Sequence, residues 1–248
     1  WHIMDTAFII GNGESRNIFP IDNLKGHGTI YGCNAIYRDH PMLCDHIVAV
    51  NPSMYEELAK WHNHGKESPS IHGPDDISTW NYICEGDHEH DIPEGLKIYR
   101  VWRGGDVKKG GKIKTNDFSK ARGSGCSAVL MAAESGIKNI VIMAFDIMGA
   151  QQWEMETPSR IQNNIYKDTV NYPGRESMKA YLKYEWMYQL RQIFRKFPKT
   201  NFYFINRKEY LEGNPFLRWY FDQPNIKCGI YADLQRWITG SRDDIRWK

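Results

Sequence analysis

Residues 7–16 read AFIIGNGESR, an apolar run that stops at a turn rich in glycine and polar side chains. Such a run predicts a short buried β-strand, Ala7 to Ile10, with the turn at its carboxyl end. Because glycine has no side chain, backbone N–H groups in this turn can approach an anion closely. Arg16 replaces the third glycine of a dinucleotide-binding turn and no Lys-Ser/Thr pair follows, so the turn is neither that motif nor a P-loop. An ordinary turn between a strand and a helix is the alternative.

Similar units follow along the chain. Residues 28–33 and 46–50 are predicted strands, and each is followed by an asparagine, Asn34 and Asn51. Other segments complete the pattern, with strands predicted at 96–102, 139–145 and 201–205 and helices at 124–135 and 175–197. The alternation predicts an α/β fold with a Rossmann-like, mostly parallel sheet that binds its ligand above the carboxyl ends of the strands.

Changes in composition divide the chain. We expect residues 1–213 to form the Rossmann-like catalytic domain, with a loop-rich insertion at 61–95 and a lid-like segment at 150–174. Residues 214–248 are expected to form a C-terminal extension.

Composition excludes several classes of protein. The 248 residues include 32 Lys+Arg and 30 Asp+Glu, and 41% are hydrophobic. A net charge of +2 excludes a strongly basic nucleic-acid arm, and the apolar content excludes a disordered chain. No apolar run approaches the roughly 20 residues that span a bilayer, so we expect no membrane span.

The five cysteines lie far apart and form no C-x-x-C pair. Such a set is typical of free thiols in a reducing compartment, so we expect a cytoplasmic protein and assign no cysteine a catalytic role. A homo-oligomer is compatible with the sequence.

Another candidate binding feature is a glycine-serine-glycine turn at residues 123–125, where a predicted helix begins. The Ser124 hydroxyl and the positive end of this helix would suit a phosphate or a carboxylate, although Ser-Gly is more often only a helix cap. The helix leads into the most apolar strand of the chain, which ends at Asp146.

The motifs IIGNGES at 9–15, YGCNAIY at 31–37 and VNP at 50–52, with Ser124-Gly125 and IMAFD at 142–146, occur in an order that resembles a known family. This is the bacterial sialyltransferase-like glycosyltransferase family, whose members use CMP-sugars and modify lipooligosaccharide. Pterin diphosphokinase-like proteins, of related fold, show a weaker similarity through the glycine turn and the strand ending in Asp. The resemblance implies a variant of the GT-A fold, with residues 1–213 binding a nucleotide sugar.

The resemblance also implies roles for individual residues. In that family three Asn turns and the Ser-Gly helix hold the nucleotide sugar, and two tyrosines bind the leaving phosphate. Tyr172 matches one tyrosine through Tyr172-Pro173-Gly174-Arg175, and Tyr166 is the candidate for the other. The residues implied to bind the sugar donor are Asn12, Gly13, Ser15, Asn34, Asn51, Ser124, Gly125 and Tyr166, and the catalytic candidates are Tyr172, Asp146, Arg175 and Glu176.

One departure changes the expected chemistry. The general base of the family is a histidine at the position of Arg175, and no histidine follows His90. Arginine stays protonated, so it cannot deprotonate an acceptor hydroxyl, but its bidentate fork could neutralise a leaving diphosphate. Glu176 and Asp168 are then candidates for the base by position, and the alternative is that Arg175 and Glu176 simply begin a helix.

Two further segments bear on cofactors and partners. Residues 87–91, DHEHD, offer a His-x-His pair, but spacing specifies no third ligand, so we predict a solvated loop, no metal and no obligatory cofactor. The basic, glycine-containing loop from Arg103 to Arg122 would suit a polyanionic acceptor such as DNA or a phosphorylated glycan, with a solvated loop as the alternative.

The favoured function is therefore transfer of a sugar from a nucleotide-sugar donor to a hydroxyl of a glycan or of a modified nucleobase in DNA. A diphosphokinase-like phosphotransferase that uses Mg²⁺ and ATP is the first alternative. A non-catalytic module that binds nucleotides or nucleic acid is the second.

Overall fold

The computed structural model describes residues 5–49, 52–62, 70–73, 99–100, 123–147, 164–172, 181–214, 217 and 220–241. All structural statements below refer to these residues.

The described strands form one eight-stranded sheet in the order β5-β4-β3-β2-β1-β6-β7-β8. Every pairing between neighbouring strands is parallel, which confirms the predicted α/β class with a parallel sheet. The strands are β1 (Thr6–Ile10), β2 (Thr29–Cys33), β3 (His46–Val48), β4 (Ser70–Gly73), β5 (Tyr99–Arg100), β6 (Asn139–Met143), β7 (Asn201–Asn206) and β8 (Ile226–Ile230).

The strand order places a topological switch point beside β1. The chain winds outward from β1 to β5, then crosses to the other side of β1 and continues from β6 to β8. Ile10, the last residue of β1, pairs with Gly32 on one side and Met143 on the other. The turns that follow β1, β2 and β6 therefore meet at one edge, where doubly wound sheets bind ligands.

Five described helices accompany the strands: α1 (Pro52–His62), α2 (Ser124–Glu134), α3 (Tyr181–Lys196), α4 (Lys208–Glu212) and α5 (Tyr231–Ile238). Short 3₁₀ helices cover Glu14–Ile18, Ile21–Leu24 and Asn34–Arg38. After α2 the chain turns at Gly136, whose φ of +80° lies in the left-handed region that glycine adopts readily. None of the described helices is long and apolar enough to cross a membrane.

Hydrophobic layers cover both faces of the sheet. In β1, Ala7 and Ile9 belong to the layer that includes α2 and α3, whereas Phe8 and Ile10 belong to the opposite layer. All five residues of β6 are buried. Burial on both faces explains why these central parallel strands are continuous apolar runs in the sequence.

Two strands lie in segments for which the sequence predicts no strand. Ser70–Gly73 forms β4 within the 61–95 insertion, and Ile226–Ile230 forms the edge strand β8 within the C-terminal extension. Neither has an apolar run: β4 reads Ser-Ile-His-Gly, and the middle of β8 is occupied by Lys227 and Cys228. Pairing with β3 and with β7 compensates for this weak local signal.

Candidate functional site

A cleft of about 150 Å³ opens at the switch point, above the carboxyl ends of β1 and β6. Its walls are the turns that follow β1, β2 and β6, the start of α2, and single residues of two other segments. The described lining residues are Gly11, Asn12, Gly13, Cys33, Asn34, Gly123, Ser124, Gly125, Cys126, Ala144, Phe145, Asp146, Ile147, Asn164 and Trp186.

The glycine turn packs directly on the chain that leaves β6. Gly11 N–H donates to Met143 O and Gly13 N–H donates to Ala144 O, both at 2.9 Å. A Cβ at position 11 would lie 2.4 Å from Ala144 O, and one at position 13 would lie 2.4 Å from Asp146 Cγ. Close approach of backbone therefore explains both glycines, and their N–H groups bind the protein rather than an anion.

Asp146 joins three strand ends. Its carboxylate accepts hydrogen bonds from Ser15 N–H at 2.8 Å, from Ser15 Oγ at 2.6 Å and from Asn206 Nδ2 at 3.1 Å. Ser15 Oγ also lies 3.0 Å from the Tyr231 hydroxyl, on α5. The carboxylate thus lines the cleft and also connects the turn after β1 to the ends of β6 and β7.

The side chain of Asn12 connects β1 to β2. Its Nδ2 donates to Cys33 O at 3.0 Å and to the Tyr172 hydroxyl at 3.2 Å. Its Oδ1 accepts from Arg16 Nη1 at 3.3 Å. Asn12 lines the cleft, but both N–H groups of its amide already have acceptors within the protein.

Arg16 is almost completely buried, with 3% of its surface exposed. Its Nη2 donates to Asp39 Oδ2 at 2.9 Å and to the Tyr166 hydroxyl at 3.0 Å, and that hydroxyl donates to the same Asp39 oxygen. A buried guanidinium is stable only when it is paired and hydrogen-bonded in this way. The residue at the third glycine position is therefore a structural ion-pair partner.

Tyr166 and Tyr172 lie together, with ring centroids 5.6 Å apart. Their hydroxyls, however, bind protein groups: that of Tyr172 accepts from Asn12 Nδ2 and from Ala35 N–H. Burial raises the pKa of Tyr172 to about 12, and burial also raises the pKa of Tyr166. Neither tyrosine is among the described residues that line the cleft.

The segment 164–172, which lies within the stretch predicted to be lid-like, is hydrogen-bonded to the glycine turn. Ile165 N–H donates to Asn12 O at 2.9 Å, and Asn164 forms a β-bridge with Gly13. At its other end Asn171 Nδ2 donates to Glu57, which also accepts two hydrogen bonds from Arg38. Although burial by itself would raise the pKa of Glu57, the hydrogen bonds from Tyr37, Arg38 and Asn171 lower it.

Asn34 and Ser124 are in direct contact and both line the cleft. Asn34 adopts a left-handed conformation with φ of +51°, which asparagine tolerates better than most residues. Ser124 Oγ donates to Asn34 Oδ1 at 2.8 Å, which fixes the orientation of the amide. Among the described residues the Asn34 Nδ2 group has no acceptor, so it can donate to a ligand.

The start of α2 forms another wall. Gly123 is the N-cap, and the first-turn N–H groups of a helix have no intrahelical acceptor and mark its positive end. A Cβ at Gly125 would lie 2.6 Å from the Phe145 ring, so glycine lets the helix start against that ring. This wall can bind an anionic group of a ligand.

Cys33 and Cys126 also line the cleft. The four cysteines in the described ranges are free. Burial raises the pKa of Cys33 to about 12, which leaves too little thiolate near neutral pH for a nucleophile.

One further predicted residue, Asp168, does not line the described part of the cleft. Asp168 is exposed in the turn between Tyr166 and Tyr172. Asn51, Arg175, Glu176, residues 87–91 and the basic loop 103–122 lie outside the described residues. Within the described ranges no group of three or more metal-ligand side chains occurs.

Sequence reasoning missed Trp186 and Asn164 as cleft residues. Trp186 fits the helical spacing of an ordinary buried face, and Asn164 lies in a segment without periodicity, so neither gives a local signal of a binding site.

The chain has also been compared with known proteins. No family model, curated protein or solved structure matches it. Functional inference therefore depends on the cleft and on the sequence motifs that surround it.

The Asp146 carboxylate can be tested as the structural tie of the cleft. Asp146→Asn replaces one accepting oxygen by an NH₂ group, which cannot accept a hydrogen bond from Ser15 or Asn206. The free energy of unfolding, measured in urea, should therefore fall by about 2 kcal/mol. Ser15→Ala is the matched control: it deletes the side-chain donor but keeps the Ser15 N–H and the charge, so its loss should be smaller. A loss below about 0.5 kcal/mol for Asp146→Asn would show that the carboxylate does not hold the strand ends together.

Proposed function

We propose that this protein is a glycosyltransferase that moves a sugar from a nucleotide-sugar donor to a hydroxyl acceptor. The proposal is supported most directly by the convergence of four motifs on one cleft. The glycine turn, Asn34, the Ser124-Gly125 helix start and Asp146 are far apart in the sequence, and all of them line the same cavity. These are four of the five motifs on which the resemblance to sialyltransferase-like enzymes depends, and the switch point of a doubly wound sheet is a favoured nucleotide site.

The polar groups suggest how the nucleotide binds. A phosphate at the start of α2 would accept hydrogen bonds from first-turn N–H groups and gain from the positive helix end. The Asn34 amide, held by Ser124, would donate to an oxygen or a ring nitrogen of the nucleoside. Asn12 and Ser15, whose side chains are used within the protein, would shape the site without binding the nucleotide directly.

The transfer step sets the remaining requirements. The bond between the anomeric carbon and the nucleotide phosphate breaks, the acceptor oxygen bonds to that carbon, and a base takes the hydroxyl proton. Asp146 is the carboxylate that the described part of the cleft contains, and its oxygens already accept three hydrogen bonds from Ser15 and Asn206. We therefore keep Glu176 as the proposed base, with Arg175 neutralising the leaving phosphate.

We propose a polyanionic acceptor, either a phosphorylated glycan or DNA that contains a modified nucleobase. The sequence supports this through the basic loop from Arg103 to Arg122, which leads directly to the Gly123-Ser124 turn. Backbone neutralisation by Lys and Arg would bring such an acceptor to the cleft.

A diphosphokinase-like phosphotransferase is the second candidate. It is favoured by one observation, that the carboxylate of Asp146 and the start of α2 share a cleft, because a carboxylate can bind Mg²⁺ beside a nucleotide phosphate. Such an enzyme would depend on Mg²⁺ and ATP.

A turnover screen separates these functions. The purified protein would be incubated with CMP-, UDP-, GDP- and dTDP-sugars and with ATP, with and without Mg²⁺, and nucleotide release would be followed by mass spectrometry. We expect slow hydrolysis of one class of nucleotide sugar without added acceptor. Turnover of ATP alone, and only with Mg²⁺, would favour the phosphotransferase, and binding without any turnover would favour a non-catalytic module.

A variant of Asn34 tests whether this cleft is the nucleotide site. Asn34→Gly removes the amide and keeps the left-handed backbone accessible, so the free energy of unfolding should change little. Loss of one hydrogen bond should weaken binding of the released nucleotide about five- to tenfold, measured by calorimetry. Asn171→Gly, at another left-handed asparagine outside the cleft, is the matched control and should not change this affinity. An unchanged affinity in Asn34→Gly would place the nucleotide elsewhere.

A further inference from the structure

Trp186 lies on α3 and lines the cleft beside the start of α2. Its side chain is half-buried: part of the indole packs on the hydrophobic layer beneath α2 and α3, and part remains accessible. The other aromatic lining residue, Phe145, is only 7% exposed and packs against Gly125. Within the described lining, Trp186 therefore provides the main accessible aromatic surface.

The indole packs closely against the glycine turn before α2. A Cβ at Gly123 would lie 2.9 Å from Trp186 Nε1 and 3.3 Å from its Cδ1, so any larger residue would displace the ring. The same region is connected to α3 by two hydrogen bonds, from Gly123 N–H to Gln189 Oε1 at 3.1 Å and from Cys126 Sγ to Trp186 O at 3.5 Å. Gln189 lies three residues after Trp186, on the same side of the helix.

The accessible part of this ring has no protein partner in the described structure. Among the described residues no aromatic ring stacks on it, and no acceptor lies within hydrogen-bond distance of its N–H. A tryptophan that packs against its neighbours in a cleft offers a large flat surface. Because folding has already ordered its side chain, ligand binding loses little further side-chain entropy. Such a surface binds a planar ring by stacking.

We propose that Trp186 is the stacking platform for the nucleobase of the bound nucleotide. This inference rests on the proposed function, because it assigns the base to one wall of the same cleft. A nucleotide joins a flat aromatic ring to an anionic phosphate, and the structure sets a flat indole beside the positive end of α2. The indole stacks on the base while the helix start binds the phosphate, and the sugar points toward Asp146.

If Trp186 stacks on the base, its removal should weaken the binding of nucleotides but not the binding of pyrophosphate, which has no base. Trp186→Ala removes the platform but leaves every N–H group at the start of α2 in place. Binding of a nucleotide should therefore weaken about tenfold, whereas binding of inorganic pyrophosphate should stay unchanged. Trp186→Phe keeps a smaller ring and should restore most of the affinity.

The experiment measures binding of CMP, UDP, GDP, dTDP, ADP and inorganic pyrophosphate to the full chain by calorimetry. It compares the unaltered protein with Trp186→Ala, Trp186→Phe and the matched control Trp61→Ala, which removes a half-buried tryptophan that packs on Tyr37 outside the cleft. Quenching of tryptophan fluorescence by the nucleotide, which should be smaller in Trp186→Phe, gives a second measurement that does not depend on the stability of the alanine variant.

The outcomes distinguish the two proposals. A selective loss of nucleotide affinity in Trp186→Ala, recovery in Trp186→Phe and no change in Trp61→Ala support the stacking platform. Normal nucleotide binding by Trp186→Ala, or equal losses for nucleotide and pyrophosphate, overturn the platform and leave the proposed function standing. Absence of nucleotide binding by the unaltered protein overturns both.

Discussion

The cleft depends on one carboxylate. Asp146 ends the chain segment that leaves β6, and it accepts hydrogen bonds from the turn after β1 and from Asn206 at the end of β7. A Cβ at Gly13 would collide with this side chain, so the glycine turn and Asp146 require each other. These side-chain bonds add to the backbone bonds that already join β1 to β6 and β6 to β7. Asp146, the acidic residue of the described cleft, thus has a structural role.

The polar residues at this edge divide into two groups. Asn12, Ser15 and Arg16 use their side chains to join β1 to β2, to β6 and to the segment 164–172. Asn34, the start of α2 and Trp186 keep surface that a ligand can contact. Rigid support behind a small number of available groups is what a preorganised binding site needs, because binding then requires little further ordering.

The sequence predicts the central strands of the sheet better than the side-chain contacts between distant residues. Apolar runs such as Ala7 to Ile10 and 139–145 identify the central strands, because burial on both faces demands continuous hydrophobic residues. Strand β4, next to the edge strand β5, and the edge strand β8 lack that signal, and pairing with neighbouring strands stabilises them. The pairs Ser15–Asp146 and Arg16–Tyr166 join residues more than a hundred positions apart, which no local pattern reveals. The role of Trp186 in the cleft could not be predicted, because its position on an amphipathic helix has the same spacing as a core residue.

The central claim is that the start of α2 binds the phosphate of a nucleotide in this cleft. A crystal structure of the protein with the nucleotide that the turnover screen identifies tests this claim most directly. A phosphate oxygen is expected within about 3.2 Å of the Gly125 N–H, in the first turn of α2. A nucleotide bound outside the cleft, or one with its phosphate turned away from α2, would contradict it.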